Sequence, residues 1–444
     1  MSTRLVPASL FFHSLPRPLV TAILLQLPVN TRLRCSEVSR AWRALLADAV
    51  LWRRLNFFNV ALANFSEALF VAAVAKAGGQ LRELDVSGQF TTWEGQRLTH
   101  SALMGAVAAN SQTLQRLRLC SGIDDAVPYN AVVELCTAAL NLQKLEIKVT
   151  CRSTEARALL RREPPFGALE ICDLRVDFTD EYDGTFSSFA ADLQLHGTCL
   201  NALDFYSAPM PGRVAWDALA DATISVCLIN LDVSDILLGP WCVPGLARLL
   251  QEGCISSLRL GGSVVGDGLL VDAETEPVLS AASRANSTLK ELALTRVDVW
   301  NLPGNYILDA LVGHPTLESI KLRYKVGGDD AQLQFAGASL GRLVAANSPV
   351  LQYLDVSSCA LGDDGLRPLV AALPSNTHLW FLNVTLNGIS AAFAPAVLAA
   401  VRANRSLRAL CIDGGMHNEN DPGSEVASIA ELREAEEVAR RPRR

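Results

Sequence analysis

The sequence predicts an α/β solenoid with a small all-α module at its amino-terminal end, and three observations carry that prediction. The stretch Leu351-Gln-Tyr-Leu354-Asp-Val356-Ser-Ser-Cys359-Ala-Leu361 follows the pattern L-x-x-L-x-L-x-x-N/C-x-L, and its opening recurs about a dozen times along the 444 residues. Within each copy the apolar residues first alternate, as in a short strand, and then fall three and four apart, as in a one-faced helix (Leu366, Leu369, Val370 and Leu373 in this copy). Residues 15–56 follow a different rule, with short apolar helical patterns broken by Pro28.

Residues 1–14 carry no pattern and are expected to be a tail. From Leu15-Pro16 the spacing of Leu19, Ile23, Leu24 and Leu27 predicts a helix. Pro28-Val-Asn30 ends that helix and is expected to cap a second one holding Leu33, Cys35 and Val38. A third helix would hold Trp42, Leu45 and Leu46, followed by Leu51-Trp52-Arg-Arg-Leu55. Residues 57–80, with Phe57, Phe58, Val60, Leu69, Phe70, Val71 and Val74, read as a half-repeat that joins the module to the array without a Gly/Ser linker.

Clear copies of the repeat open at Leu81, Leu114, Leu142, Leu200, Leu228, Ile255, Leu289, Leu317, Leu351, Leu379 and Leu407. A weaker one near Leu169 or Ile171 fits two registers. No single unit can bury its own apolar face, so neighbours must cover it over residues 81–415. Insertions after Leu260, Val297 and Tyr324, and the acidic stretch from Asp177, are expected at the rim, where insertions serve binding. Residues 416–444 are a polar tail whose Ser428–Arg441 stretch is a helix candidate.

A net charge of −7 argues against general nucleic-acid or anionic-membrane binding. The apolar run from Leu19 to Leu27 is too short to span a bilayer and lacks a signal-peptide cleavage site. The eleven cysteines form no C-x-x-C, and several, such as Cys120, Cys359 and Cys411, fall on repeat positions. They are expected to be reduced and buried or half-buried, in the cytoplasm or nucleus. The N-x-S/T triplets at Asn64, Asn286, Asn383 and Asn404 therefore carry no glycosylation signal.

The repeat resembles the leucine-rich repeat of the ribonuclease-inhibitor type. Its last five spacings of 34, 28, 34, 28 and 28 residues lie at or above the long end of the family's range of about 20–29, leaving room for a helix after each strand. The resemblance implies a horseshoe with a parallel inner sheet and outer helices. The amino-terminal module resembles an F-box: Leu15-Pro16, Ile23, Leu27-Pro28, Val38-Ser39-Arg40-Ala41-Trp42-Arg43 and Leu51-Trp52-Arg53-Arg54-Leu55 stand in that family's order and spacing. That second resemblance implies docking onto the Skp adaptor, and through it a cullin, by an apolar surface of Leu15, Pro16, Ile23, Leu27, Val38 and Trp42, with Trp52 packing the end of the module onto the next segment of chain. Together they imply a substrate-recognition subunit of an SCF-type ubiquitin ligase. The alternative is a ligase-independent scaffold or regulator holding a structural or small-GTPase partner, with the helical module serving only as a cap.

No catalytic or metal constellation emerges, and neither an enzyme nor a cofactor is expected. The histidines (His13, His100, His196, His314, His378, His417) are scattered. Gly337-Ala-Ser339-Leu-Gly341 matches G-x-S-x-G but lies in a helical half, without the strand before it that a nucleophile elbow needs. Asp329-Asp330 and Asp363-Asp364 fall at the same place in their repeats, where carboxylates cap helices.

Alternation along each strand puts the residues between the repeated apolar ones on an outward face. Reading these gives Glu83 and Asp85, Arg116 and Arg118, Lys144, Glu146 and Lys148, Asp204 and Tyr206, Asp232, Arg259, Lys321 and Arg323, Tyr353 and Asp355, Phe381 and Asn383. Two groups are candidates for holding a protein substrate: the cations Arg116, Arg118, Lys144 and Lys148, and Lys321 and Arg323 beside the aromatics Tyr353 and Phe381.

Overall fold

The computed structural model describes residues 15–412 except 59, 61–63, 88–97, 120–126, 164–165, 167–170, 178–182, 198–199, 207–211, 235–238, 262–273, 296–305, 324–329 and 391, together with 435, 438 and 439. The three insertions, most of the acidic stretch after Asp177, both tails and Cys120 lie largely or wholly outside those residues. The chain divides into two compact units, residues 1–176 and 177–444.

In the first unit, helix α1 (Arg17–Leu25) starts behind Pro16 and has Pro18 in its first turn, where a missing N–H costs nothing. It buries Val20 and Leu24, one turn apart. Helix α2 (Val29–Val38) begins two residues earlier than a capping Asn30 would require. Pro28 holds the N-cap place, and the Asn30 side chain accepts from its neighbour Thr31 N at 2.8 Å instead. Ser39 is extended; it ends α2 and accepts from Trp42 N at 3.2 Å to cap α3 (Arg40–Leu45). The V-S-R-x-W string is thus a helix break and a cap in consecutive residues.

A short 3₁₀ turn, Ala49–Trp52, leads directly into strand β1 (Arg54–Asn56). Strand β1 pairs in parallel with β2 (Glu83–Asp85), Leu55 opposite Leu84. Trp52-Arg-Arg-Leu55-Asn-Phe57 therefore occupies the L-x-x-L-x-L places of a repeat ahead of the one that opens at Leu81. Trp52, Leu55 and Phe57 are buried, and Phe57 packs on Phe65 and on Phe70 of α4 (Glu67–Ala77), at 5.6 Å in each case. Helix α4 is capped by Ser66 and stops at Gly78, whose φ of +55° suits glycine.

The rest of this unit adds α5 (His100–Ala109), β3 (Arg116–Arg118), the short β4 (Val127–Pro128), α6 (Tyr129–Ala138), β5 (Lys144–Arg152), α7 (Ser153–Leu160) and β6 (Ile171–Asp177). The strand order is β1-β2-β3-β5-β6, with β4 pairing off β5. Both registers of the weak copy put Leu174 inward, and it is buried.

The second unit repeats one theme: α8 (Asp183–His196), β7 (Ala202–Tyr206), α9 (Gly212–Ser225), β8 (Asn230–Val233), α10 (Val243–Glu252), β9 (Ser257–Gly261), α11 (Glu276–Ala285), β10 (Glu291–Thr295), α12 (Tyr306–Ala310), β11 (Ser319–Arg323), α13 (Asp330–Ala345), β12 (Tyr353–Asp355), α14 (Gly362–Ala372), β13 (Phe381–Asn383), α15 (Ala394–Ala403) and β14 (Ala409–Cys411). Strands β7 to β14 are parallel neighbours in chain order. Each of the eleven clear openings in the whole chain is followed two residues later by a strand. The template's apolar residues, from Leu351 through Leu354, Val356, Cys359, Leu361, Leu366 and Leu369 to Leu373, are all buried. Each such leucine contributes about 1.5–3 kcal/mol as an upper estimate.

Asparagines bind repeat to repeat. Asn404, fully buried at the end of α15, donates to the carbonyls of Leu373 and Asn376 and accepts from Ser406 N and Leu407 N. Asn286 and Asn376 do the same for their own repeats. Two of the N-x-S/T triplets are therefore buried caps. Asn387, at the N/C place of its repeat, accepts from Cys359 N and Leu361 N of the repeat before.

Candidate functional site

The helical module presents a divided set of apolar side chains. Val20, Leu24, Val29, Leu46, Leu51 and Trp52 are buried. Leu15, Leu27 and Trp42 are half-buried, Pro16 is exposed, and Ile23 and Val38 are 36% and 72% exposed. All six residues assigned to an adaptor surface thus keep solvent access. Leu19 and Leu25 of α1 are exposed as well.

Beneath that surface lies a feature the sequence did not announce. Arg32, which reads as part of a polar helix face, is 4% exposed; its guanidinium donates to the Leu51 carbonyl and stands 5.3 Å from the centre of the Trp52 ring. Burial lowers its pKa. Trp52 in turn donates its indole N–H to the Leu46 carbonyl at 2.8 Å. The Trp52 ring thereby ties α2, the end of α3 and the first strand together. Arg17 pairs with Asp48 at 3.0 Å on the surface.

The cation group of the first unit is not an uncompensated positive surface. Arg118 pairs with Glu146 and lies 3.8 Å from Asp85, and Lys144 lies 2.9 Å from Glu146. Burial pushes the Glu146 carboxyl up, but hydrogen bonds from Lys144 and Arg118 outweigh it and hold the group below its usual value. Arg116 is exposed beside Lys144 in the register. Lys148 lies on β5, with its side chain outside the described residues.

The second group comes together as expected from its register. Tyr353 and Phe381 stand opposite each other on β12 and β13, their rings stacked at 4.1 Å and 3°. The Lys321 ammonium sits 5.3 Å from the centre of the Tyr353 ring. Trp380 meets Phe381 edge-on at 6.0 Å and is 41% exposed, an aromatic the alternation rule assigns to the other face. Arg323 is exposed at the end of β11. Such a stack is worth about 0.5–1.5 kcal/mol beyond its buried area, and the cation about 0.5–1 kcal/mol at an exposed site.

Several outward carboxylates are not presented to a partner. Asp85, Asp232 and Asp355 each accept from the backbone N–H two residues on, at Ser87, Ser234 and Ser357, each at 3.0 Å, and Asn383 does so from Thr385 at 3.1 Å. These are Asx turns that close each strand. Their signal in the sequence is the recurring D-V-S string.

The G-x-S-x-G match lies inside α13, where Ser339 is buried and accepts from Arg342 at 2.8 Å. Its glycines serve packing: a Cβ at Gly337 would strike the Gly365 backbone of α14, and one at Gly341 would strike Pro368. Asp363 does not cap its own helix; its carboxylate accepts from Ser390 N and Oγ of the next repeat, and Asp364 pairs with Arg367 at 3.0 Å. Asp329 lies outside the described residues. Among the described residues no group of three or more His, Cys, Asp or Glu could hold a metal ion, and no helix is long and apolar enough to cross a membrane.

A family model described as F-box-like matches residues 12–58, and one described as leucine-rich repeat matches residues 347–370. Among solved structures, a chain of the crystal structure of the Rad7 and Elc1 complex in yeast is similar at 11% identity and a TM-score of 0.45, covering 86% of this chain and 92% of that one. With strand β1 already part of the repeat sheet and both motifs matched, the chain carries an F-box-like module joined to leucine-rich repeats.

Proposed function

We propose that the chain is the substrate-recognition subunit of an SCF-type cullin-RING ubiquitin ligase. The F-box holds the Skp adaptor, and the outward face of the repeat sheet holds a protein substrate. It catalyses nothing itself: it raises the effective concentration of substrate lysines near the conjugating enzyme. The observation that supports this reading is the accessibility of Leu15, Pro16, Ile23, Leu27, Val38 and Trp42 while Val20, Leu24, Val29, Leu46, Leu51 and Trp52 of the same module are buried. A helical cap that only sealed the array would have turned these inward. For the substrate, the Lys321, Tyr353 and Phe381 cluster is the better contact of the two candidates, because stacked, half-buried aromatics beside a cation suit an interface anchor.

The test is a pull-down of purified full chain with the Skp adaptor, beside a Leu15→Ala, Pro16→Ala, Ile23→Ala variant shown by circular dichroism to remain folded. Capture of the wild-type chain and its loss in the variant are expected. Failure of the folded wild-type chain to bind would leave the scaffold reading in its place.

A further inference from the structure

The described cysteines fall into two classes. Cys136, Cys151, Cys242 and Cys359 are buried and Cys35 and Cys411 half-buried, whereas Cys227 and Cys254 are exposed, against the expectation of thiols shielded by the fold. Burial pushes the thiols of Cys136 and Cys242 up to about 12 and that of Cys151 higher still, so these are poor nucleophiles.

The two exposed cysteines occupy the same place in consecutive repeats. Asn230 pairs with Ser257 and Leu231 with Leu258, and the same offset of 27 residues brings Cys227 beside Cys254 just ahead of the strands. The alignment holds into this segment: Ser256 N and Ser257 N both donate to the Ile229 carbonyl, at 2.8 and 3.1 Å. It also holds at the preceding helix ends, where Val226 N donates to Ala222 O and Gly253 N to Leu249 O at 3.0 and 2.9 Å. Parallel neighbours stand about 4.7–4.9 Å apart, inside the span of about 4.4–6.8 Å that a disulfide bridges between Cα atoms. In keeping with that placement, interaction with Cys227, ahead of burial, holds the Cys254 thiol above its ordinary value. Cys227 has a φ of +51°, which side-chain-bearing residues adopt rarely.

We propose that Cys227 and Cys254 are an oxidisable dithiol, which a hydroperoxide converts into a disulfide clipping two consecutive repeats together. One thiolate attacks a peroxide oxygen, the O–O bond breaks, and a sulfenic acid and hydroxide form. The second sulfur attacks that sulfenic sulfur, expelling its oxygen, and the two thiol protons leave in the two waters produced. Hydrogen peroxide is reduced, and the two sulfurs are oxidised by two electrons in all. Because Cys254 keeps its proton at neutral pH, the reaction quickens as pH rises. An exposed disulfide is also readily reduced, so the clip is reversible.

The test treats reduced full chain with hydrogen peroxide, blocks remaining thiols with N-ethylmaleimide and maps the unreduced digest by mass spectrometry. The expected result is a peptide pair joined through Cys227 and Cys254, lighter by about 2 Da than the two separate peptides, lost after dithiothreitol and faster to form at pH 8.5 than at pH 7. In Cys254→Ser, which leaves an exposed site the same size, Cys227 should stop at sulfenic or sulfinic acid. Three outcomes would overturn the proposal: each cysteine reaching sulfinic acid independently in the wild-type chain, bridges only between chains, or both thiols recovered alkylated under oxidant that modifies the half-buried cysteines.

Discussion

The amino-terminal helices and the repeats treat large apolar side chains differently. Among the described residues, Leu19, Ile23, Leu25, Val38 and Val50 are exposed within one short stretch, whereas from Leu81 to Ile412 only Leu140, Leu195, Val214, Ile229, Val278, Trp380 and Leu386 are, most of them far apart. Repeats cover one another, so an exposed residue there is a scattered one and needs no explanation. A module of some forty residues has no such neighbours on its outer side. Its exposed cluster therefore reads as a surface awaiting a partner.

The sharpest way to break this contrast is at the joint. Trp52→Ala should be the most costly substitution, about 3–5 kcal/mol, because the ring is fully buried, holds the Leu46 carbonyl and lies under the Arg32 guanidinium. Hydrogen exchange should rise in α1 to α3 and β1 while β9 to β14 stay protected. Next comes Asn404→Ala, which strands buried carbonyls of Leu373 and Asn376 and the amides of Ser406 and Leu407. A loss of about 1–3 kcal/mol is expected, read as lowered protection confined to the last two repeats.

Two smaller effects compare the sheet faces. Phe381→Ala removes the stack on Tyr353 and should cost more in urea denaturation than Arg118→Ala, whose surface pairs are worth about 0–1 kcal/mol. Glu146 supplies a pH signature. Its folded pKa lies below the ordinary glutamate value of 4.5, so its contribution is present above that value and lost as pH falls through the folded one. The stability gap between wild type and Glu146→Gln, measured by urea denaturation, should be constant at neutral pH and close below pH 4.5.

Much of the repeat architecture is legible in the sequence because it rests on local alternation and helical spacing: every clear opening predicts a strand start, and the aromatic cluster follows from register. The rest depends on partners distant in sequence. Trp52-x-x-Leu55-x-Phe57 fits the repeat template with aromatics in two places, but its helical neighbours mask it as a helix end. Buried Arg32 has no sequence signal, since only the fold brings Leu51 and Trp52 onto it. Asp85, Asp232 and Asp355 alternate outward as expected yet turn onto their own backbone, a choice that period-2 reading cannot see. The cations of β3 and β5 read as a patch in the sequence, because spacing alone does not pair them with Asp85 and Glu146.

The most direct measurement is a calorimetric titration of the Skp adaptor into the full chain and into Val38→Asp and Val214→Asp. Both valines are more than two-thirds exposed, at 72% and 79%, so neither variant should move stability by more than about 0.5 kcal/mol. Val38→Asp should weaken binding at least about tenfold, some 1.4 kcal/mol, with Val214→Asp indistinguishable from wild type. Equal binding by all three, or loss in Val214→Asp instead, would contradict the assignment of the amino-terminal helices as the adaptor surface.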